Sequence, residues 1–184
     1  MTSSHNAIDL IEQDHREVDA LFNEFETTHA TDERGRIGQQ IIRELSIHAA
    51  VEEQLLYPVA RRYVTGDGLV EHGIEEHQEL KAELVKLDTM APDSSQYAAG
   101  FSKAKEMVQE HVAEEERDIL PAIRHALSEE QLEVLGQAIE AAKKTAPTHP
   151  HLSIPPRPPL NLVLGPLYAV MDRLRDKSSA SNAG

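Results

Sequence analysis

Two short stretches of the sequence carry histidine and glutamate at the same spacing. His48 stands four residues before Glu52, and His111 stands four residues before Glu115. On a helix, residues four apart lie one turn above each other on the same side, so both side chains of a pair can reach one metal ion. Because the sequence has no cysteine, imidazole and carboxylate groups would have to hold that metal.

The repetition extends to one more histidine in each half of the chain. Asp14-His15 precedes the first pair and Glu76-His77 precedes the second, so that the two halves place their acidic, histidine and glutamate residues alike. Duplicated helix pairs, each with one histidine and one His-x-x-x-Glu, are typical of a metal-binding helical bundle. The candidate metal ligands are therefore His15, His48, Glu52, His77, His111 and Glu115.

Four apolar stripes at helical spacing position these six residues. The stripes run through about residues 7–29, 37–64, 70–87 and 97–122, and each candidate ligand takes a place where its stripe calls for an apolar residue. Burial without partners would cost on the order of several kcal/mol for each group, against a total stability of ~5–15 kcal/mol. Six ligands exceed a closed zinc site, so two ions bridged by carboxylates are expected. The fold predicted is all-α, an antiparallel up-down-up-down four-helix bundle.

The remainder of the chain predicts two further helices and an arm. A capping-box pattern at residues 128–131 opens a short fifth helix. Six prolines in residues 147–159 predict an extended arm, and residues 160–175 predict an amphipathic helix. We expect this helix to dock on the bundle or on a partner, including a second copy of the chain. The domains predicted are 1–145, the bundle with its appended helix, and 146–184, the arm, the docked helix and a disordered tail.

Charge and composition argue against two classes of partner. The 184 residues include 18 basic and 32 acidic ones, for a net charge of -14, which repels nucleic-acid phosphates and anionic lipids. No apolar stretch is long enough to span a bilayer, and the first residues lack the basic and apolar regions of an export signal. We therefore expect a cytoplasmic protein that contacts neither nucleic acid nor membrane.

This arrangement resembles the hemerythrin-like family with the HHE cation-binding motif, over about residues 8–126. The resemblance implies a non-haem di-iron centre in which two irons share an oxo or hydroxo bridge and the carboxylates of Glu52 and Glu115. The histidines that match the family's ligands are His15, His48, His77 and His111. A small oxidant, namely oxygen, hydrogen peroxide or nitric oxide, is the implied ligand. The protein is then either an oxidoreductase, peroxidase- or catalase-like or nitric oxide-handling, or an iron- or oxygen-responsive sensing module without turnover.

The third stripe departs from the pattern of oxygen-carrying hemerythrins. Gly73 stands four residues before His77, where those proteins have a ligand histidine, and His72 lies one step off, about 140 degrees round the helix from His77. A regular helix would direct Tyr57 away from the metal. If Pro58 distorts this turn, Tyr57 comes close to the gap at Gly73, where it either packs or binds metal as a phenolate.

Four acidic residues beside the two motifs are not among the six candidate ligands. Glu53, Glu114 and Glu116 fall off the stripes and are expected to face solvent. Asp118 lies seven residues after His111 on the same side of the helix. Three roles remain open for it: a hydrogen-bond partner of a ligand, a proton relay, or one end of a salt bridge in the core.

Overall fold

The computed structural model describes residues 6–63, 68–152, 165 and 167–174, and within these ranges the chain is helical and contains no strand. The helices are α1 Ala7–Thr27, α2 Thr31–Val51, α3 Tyr57–Tyr63, α4 Leu69–Thr89, α5 Ser95–Glu114, α6 Leu120–Ala126 and α7 Glu129–Lys143, followed by α8 at residues 167–174. Among the described residues, no helix combines the length and the apolar character needed to cross a membrane. The predicted all-α fold is confirmed.

Four of these helices form the bundle. α1 packs against α2 and α5, while α4 packs against α5 and α2, which closes a ring of four neighbours. The connections at residues 28–30 and 90–94 are too short for anything but antiparallel neighbours. Side chains cap the N-termini of α1 and α5: Asn6 accepts a hydrogen bond from the Asp9 amide, and Ser94 accepts one from the Gln96 amide.

Two helices of the bundle contain a π-helical turn at the same place in the repeat. α2 runs into α3 through the turn Glu52–Leu56, and α5 runs into α6 through the turn Glu115–Ile119. Pro58 and Pro121 follow these turns, and a proline ring crowds the carbonyl group four residues earlier in a regular helix. The wider π turn accommodates one extra residue and rotates the residues that follow. Tyr57 is thereby directed into the interior, where it is fully buried.

The apolar core consists of two clusters with the candidate ligands between them. The first cluster fills the end of the bundle near the α1–α2 and α4–α5 connections, and it includes Phe22, Phe25, Ile41, Leu84 and Phe101. The second fills the opposite end, which α3, α6, α7 and α8 cover, and it includes Ile11, Leu55, Leu120, Leu135 and Met171. Each stripe therefore passes from one cluster to the other through its histidine.

The helices after the bundle complete the second cluster. α7 begins at the predicted capping box, in which Ser128 and Gln131 each accept a hydrogen bond from the other's amide. In α8, Leu167 and Met171 are buried in the cluster, and the Gln131 side chain donates a hydrogen bond of 2.8 Å to the Met171 carbonyl. Residues 167–174 therefore pack on the bundle, while the predicted arm from residue 153 onward, residues 160–164 of the predicted helix and the predicted tail lie outside the described residues.

Candidate metal centre

All six candidate ligands meet in the middle of the bundle. The helices bring them inward from four directions, with α1, α2, α4 and α5 each supplying one histidine and the two π turns supplying the carboxylates. Their exposed fractions are 6% for His15, 6% for His48, 0% for Glu52, 1% for His77, 5% for His111 and 0% for Glu115. Such burial of polar groups is maintained only when they have strong partners.

Glu52 faces histidines from three helices. Its Oε1 lies 3.1 Å from His48 Nε2, while its Oε2 lies 3.2 Å from His77 Nε2 and 3.9 Å from His111 Nε2. One oxygen of the Glu52 carboxylate thus faces a histidine of the first half of the repeat, and the other oxygen faces the two histidines of the second half. A carboxylate that bridges two metal ions needs this arrangement.

Two groups of donor atoms result, with Glu52 common to both. The first group contains His15, His48, Glu52 and Glu115, and the second contains Glu52, His77 and His111; within each group the donor atoms lie within 4.8 Å of one another. Glu115 joins the first group through a distance of 3.3 Å from its Oε2 to His15 Nε2. The second group has one donor fewer, and it is the group on the side of Gly73.

The two central carboxylates lack ordinary hydrogen-bond partners. Both side-chain oxygens of Glu52 and both of Glu115 are buried without a hydrogen bond of acceptable geometry from any described residue. Buried carboxylate oxygens without partners are strongly unfavourable, whereas oxygens and imidazole nitrogens that converge on one point are what a cation requires. The donor set of nitrogen and oxygen suits iron and other borderline or hard metals.

The electrostatics of the histidines indicate a strongly negative environment. Burial disfavours the charged form of His15, but the Glu115 carboxylate, with a contribution from Glu52, outweighs it and raises the pKa of His15 to about 9. Burial also disfavours the charged form of His111, but its hydrogen bond with Glu52 and the negative charge of Glu52 outweigh burial and raise the pKa of His111 to about 9. For His77, too, burial is outweighed by carboxylates, and the pKa is raised. The potential that favours imidazolium also favours a metal cation.

The two carboxylates respond in opposite ways to this environment. Burial raises the pKa of Glu52, but His48, His111 and His77 outweigh it and leave that pKa well below its usual range. The pKa of Glu115 is raised by burial and by the negative charge of Glu52. The hydrogen bond with His15 lowers this pKa, but by less than burial and Glu52 raise it. Two negative carboxylates so close repel each other, and a cation between them would remove the repulsion.

Each histidine also meets a carboxylate on its outer side. His15 Nδ1 lies 2.8 Å from Glu116 Oε1, His77 Nδ1 lies 3.2 Å from Glu53 Oε1, and His111 Nδ1 lies 2.9 Å from Glu76 Oε2. For His48 the nearest carboxylate is that of Asp14, at 3.7 Å, which is too long for a direct hydrogen bond. Such carboxylates fix the tautomer and ring orientation of a histidine, so that Nε2 is left to bind metal.

These outer carboxylates follow the repeat. Glu53 and Glu116 each come directly after a central glutamate and reach the first histidine of the other half, whereas Asp14 and Glu76 come directly before a first histidine and reach the second histidine of their own half. The expectation that Glu53 faces solvent is therefore wrong: its side chain is 10% exposed and also pairs with Lys81. Glu116 stays 43% exposed at the surface, yet it contacts His15.

Asp118, Glu114 and His72 lie outside the group of six candidate ligands. Asp118 accepts hydrogen bonds from its neighbour Arg117, the shorter at 2.7 Å, and no described contact joins it to a ligand. Glu114 faces outward as expected, 3.5 Å from His72, and the His72 side chain is 55% exposed. Neither Asp118 nor His72 completes the donor set in this arrangement.

Comparison with known proteins identifies the family. The model of the hemerythrin HHE cation binding domain matches residues 6–123, which include all six candidate ligands. This chain belongs to the hemerythrin HHE family.

Relatives and a solved structure agree with this assignment. A hemerythrin-like protein of Schizosaccharomyces pombe is 32% identical over 170 residues, which are 91% of this chain and 84% of that protein. A DNA nickase of Nostoc sp. is 31% identical over 138 residues, 75% of this chain but only 39% of the nickase. The crystal structure of a hemerythrin HHE cation binding domain-containing protein from Mycobacterium kansasii aligns with a TM-score of 0.67 at 24% identity, over 77% of this chain and 86% of that one. That structure supports the hemerythrin-like fold.

The interior of this hemerythrin domain also contains a tyrosine beside the second donor group. The Tyr57 ring stacks on His77 with 5.5 Å between ring centroids and an interplanar angle of 24°. Its hydroxyl is buried and has no hydrogen-bond partner among the described residues. Burial, followed by the charge of Glu52, raises the pKa of Tyr57 above its usual range.

A small cavity adjoins the histidines of the hemerythrin-like centre. It has a volume of about 10 Å³, roughly the room of one water molecule. All four histidines and Asp14 line it, and every bundle helix adds apolar side chains to its wall: Val18, Leu45, Ala49, Leu80, Val108 and Val112. The space beside the candidate metal centre is thus small, with both an aliphatic and a polar part to its wall.

Proposed function

We propose that this hemerythrin-like protein holds two irons and acts on small oxidants. The observation that supports the proposal is the set of buried, unpartnered oxygens of Glu52 and Glu115 at the centre of four histidine rings. A purely structural core of this kind would be unstable, because the desolvated carboxylates would have too few hydrogen bonds. Two ions fit better than one, because two donor groups share Glu52.

The residues proposed to hold the irons fall into two sets. His15, His48 and Glu115 would hold one ion, His77 and His111 would hold the other, and Glu52 would serve both. Each histidine would bind through Nε2, because its Nδ1 faces an outer carboxylate. Bound there, a pair of irons supplies open coordination positions and electrons for a reaction with oxygen, hydrogen peroxide or nitric oxide.

The protein's own side chains would control what reaches this centre. The adjoining cavity of about 10 Å³ has room for a molecule of two or three atoms. The aliphatic side chains of Val18, Leu45, Leu80 and Val108 form the part of its wall that offers no hydrogen bonds. Tyr57 would place its buried hydroxyl next to the ligand-poor side, where it could donate a hydrogen bond to a small oxidant.

Direct assays distinguish turnover from simple binding. We would load the purified protein with Fe²⁺ without oxygen and add hydrogen peroxide, nitric oxide or oxygen separately, while following the optical spectrum and the consumption of each oxidant. With ascorbate added as an electron donor in the oxygen and nitric oxide assays, we expect repeated consumption of at least one oxidant by wild type and none by His48→Ala. Wild type that binds two irons but changes neither spectrum nor oxidant concentration would contradict the proposed reactivity.

A sensing role is the second candidate, and the position of α8 favours it. Leu167 and Met171 of α8 share a core cluster with Leu55 and Leu56, which belong to the π turn that begins at Glu52. A change at Glu52 would therefore reach α8 through the packing of this shared cluster. Limited proteolysis after residue 145 tests this role: cleavage that depends on iron or oxygen, without turnover, supports sensing, and cleavage that depends on neither rejects it.

Action on DNA is not part of the proposal. The Nostoc protein is named a DNA nickase, but the region that matches this chain makes up only 39% of that protein. The net charge of -14 would repel a phosphate backbone. Incubation of the iron-loaded protein with supercoiled plasmid checks this view, which predicts that the plasmid stays supercoiled; iron-dependent relaxation that is lost in His48→Ala would overturn it.

A further inference from the structure

A surface cavity leads from solvent to the ligand-poor side of the centre. It lies between α4 and α5, has a volume of about 490 Å³, and has His77 and His111 in its wall. His72, Glu76 and Glu114 line the same cavity. These three residues are not among the six candidate ligands.

The three side chains converge as metal ligands do. One donor atom from each lies within 4.8 Å of the others. His72 Nε2 is 3.7 Å from Glu76 Oε1 and 3.5 Å from Glu114 Oε2, which is too long for hydrogen bonds. Four tetrahedral bonds of about 2.0–2.2 Å to one divalent ion would place the donor atoms about 3.3–3.6 Å apart, which is close to these two distances.

The sequence places these donors at the spacing used in the centre itself. His72 and Glu76 form a His-x-x-x-Glu pair on α4, and Glu114 approaches from α5, so that two helices contribute. Glu76 also connects the group to the centre, because its second oxygen, Oε2, lies 2.9 Å from His111 Nδ1. His72 and Glu114 have side chains that are 55% and 41% exposed, so ions in solution can reach them.

The charge around the cavity favours divalent cations. Glu76, Glu79, Glu110 and Glu114 line it, opposed by the single positive side chain of Arg117 among the lining residues. An acidic concave surface raises the local concentration of cations and speeds their association. Imidazole together with carboxylate selects a borderline divalent metal such as Fe²⁺ or Zn²⁺ rather than Na⁺ or K⁺.

We propose that His72, Glu76 and Glu114 form a third, surface metal site, which takes Fe²⁺ from solvent on its way to the centre. The transfer role rests on the proposed di-iron function, because His77 and His111 must be the destination. Binding at the surface site itself does not depend on that function, since its three ligands are separate residues.

A zinc titration tests the site directly. Protein already loaded with iron is titrated with Zn²⁺ by calorimetry, and the titration is repeated with His72→Ala, Glu114→Gln and the control His125→Ala, which removes an exposed histidine from α6. We expect one additional Zn²⁺ per chain for wild type and for the control, and a loss of at least ~10-fold in affinity for the other two variants. Equal zinc binding by wild type and His72→Ala, or no additional zinc in wild type, would overturn the site.

The rate of iron uptake tests the transfer role. Metal-stripped protein is mixed with Fe²⁺ without oxygen, quenched with a chelator at intervals and analysed for retained iron. Electrostatic capture of this kind predicts uptake that is ~10-fold slower in His72→Ala and Glu114→Gln, with an unchanged final iron content. Equal rates in all variants would overturn the transfer role. A wild-type protein that retains no iron would instead contradict the di-iron function, so the two failures are distinguishable.

Discussion

The Tyr57 hydroxyl fills the space that a side chain at position 73 would need. An ideal Cβ built on Gly73 would lie 2.8 Å from the Tyr57 hydroxyl oxygen and 3.3 Å from its Cζ. The equivalent pair in the other half of the repeat is Ile11 and Leu120, both buried in the same core cluster. One half of the bundle thus has an apolar pair where the other has a glycine and a tyrosine, and the tyrosine lies beside the donor group that has fewer ligands.

This relationship predicts that the effects of substitutions at positions 57 and 73 are coupled. Gly73→Ala should lower the free energy of unfolding by ~1–3 kcal/mol, because its Cβ would overlap the tyrosine hydroxyl. Tyr57→Phe removes a buried hydroxyl without a partner and should leave stability unchanged or raise it. In the double variant the shortest overlap is gone, so urea denaturation should reveal a coupling energy of ~0.5–3 kcal/mol.

The iron-loaded Tyr57→Phe variant separates packing from a role at the metal. If the hydroxyl contacts a bound ligand, the optical spectrum or the rate of reaction with oxidant changes while the iron content stays the same. Strictly additive stabilities for the two substitutions would mean that Tyr57 and Gly73 do not share this space.

A second prediction concerns Glu53, which holds His77 from outside and pairs with Lys81. Glu53→Gln keeps the shape of the side chain but removes its charge, so it should lower metal affinity ~10–100-fold. Competition with a chelator of known affinity measures the loss. Glu106→Gln, an exposed change on α5, serves as the matched control and should have no effect. Equal affinity in the Glu53 and Glu106 variants would show that the outer carboxylate does not support the ligand.

A third prediction concerns the docking of α8. Met171 is fully buried, whereas its neighbour Val170 is 41% exposed. Met171→Ala should therefore lower the free energy of unfolding by ~2–5 kcal/mol, and Val170→Ala should change it by less than ~0.5 kcal/mol. Thermal denaturation measures both. Truncation after Thr145 should likewise lower the melting temperature and expose apolar surface to a dye, and a truncated protein with unchanged stability and dye binding would contradict the docking.

The sequence predicts the helices and the central side chains because both depend on local spacing. The stripes around His15, His48, His77 and His111 specify which helix faces are buried, and all four histidines do meet in the interior. The capping box at Ser128 likewise depends on residues only three apart. Features of this kind depend on residues within one or two helical turns of each other, so one amino-acid sequence is enough to predict them.

The contact of Glu53 with His77 and Lys81 could not be predicted from local spacing. The position of Glu53 off the stripe favours solvent, and only the approach of α4 shows that His77 and Lys81 cover it. The orientation of Tyr57 depends on the phase change in the π turn after Glu52, which a regular 3.6-residue period does not contain. The repeated acidic neighbours, Asp14 with Glu76 and Glu53 with Glu116, are the sequence signal that could have indicated the outer carboxylates.

A fourth prediction joins metal binding to stability. His48→Ala and His111→Ala should each lose iron and lower the melting temperature of protein loaded with iron, because metal bound only to the folded state stabilises it. His125→Ala, which alters an exposed histidine, should change neither quantity. Differential scanning calorimetry together with iron analysis of the same samples gives both readouts. A variant of His48 or His111 that keeps the iron content and melting temperature of wild type would exclude that residue from the metal site.

The iron content of the wild-type chain tests the central claim most directly. The protein is produced in iron-replete medium, desalted, and analysed for all transition metals together with its absolute protein concentration. Glu52, shared by two buried donor groups, predicts two irons per chain. One metal ion per chain, or zinc alone, would contradict the account.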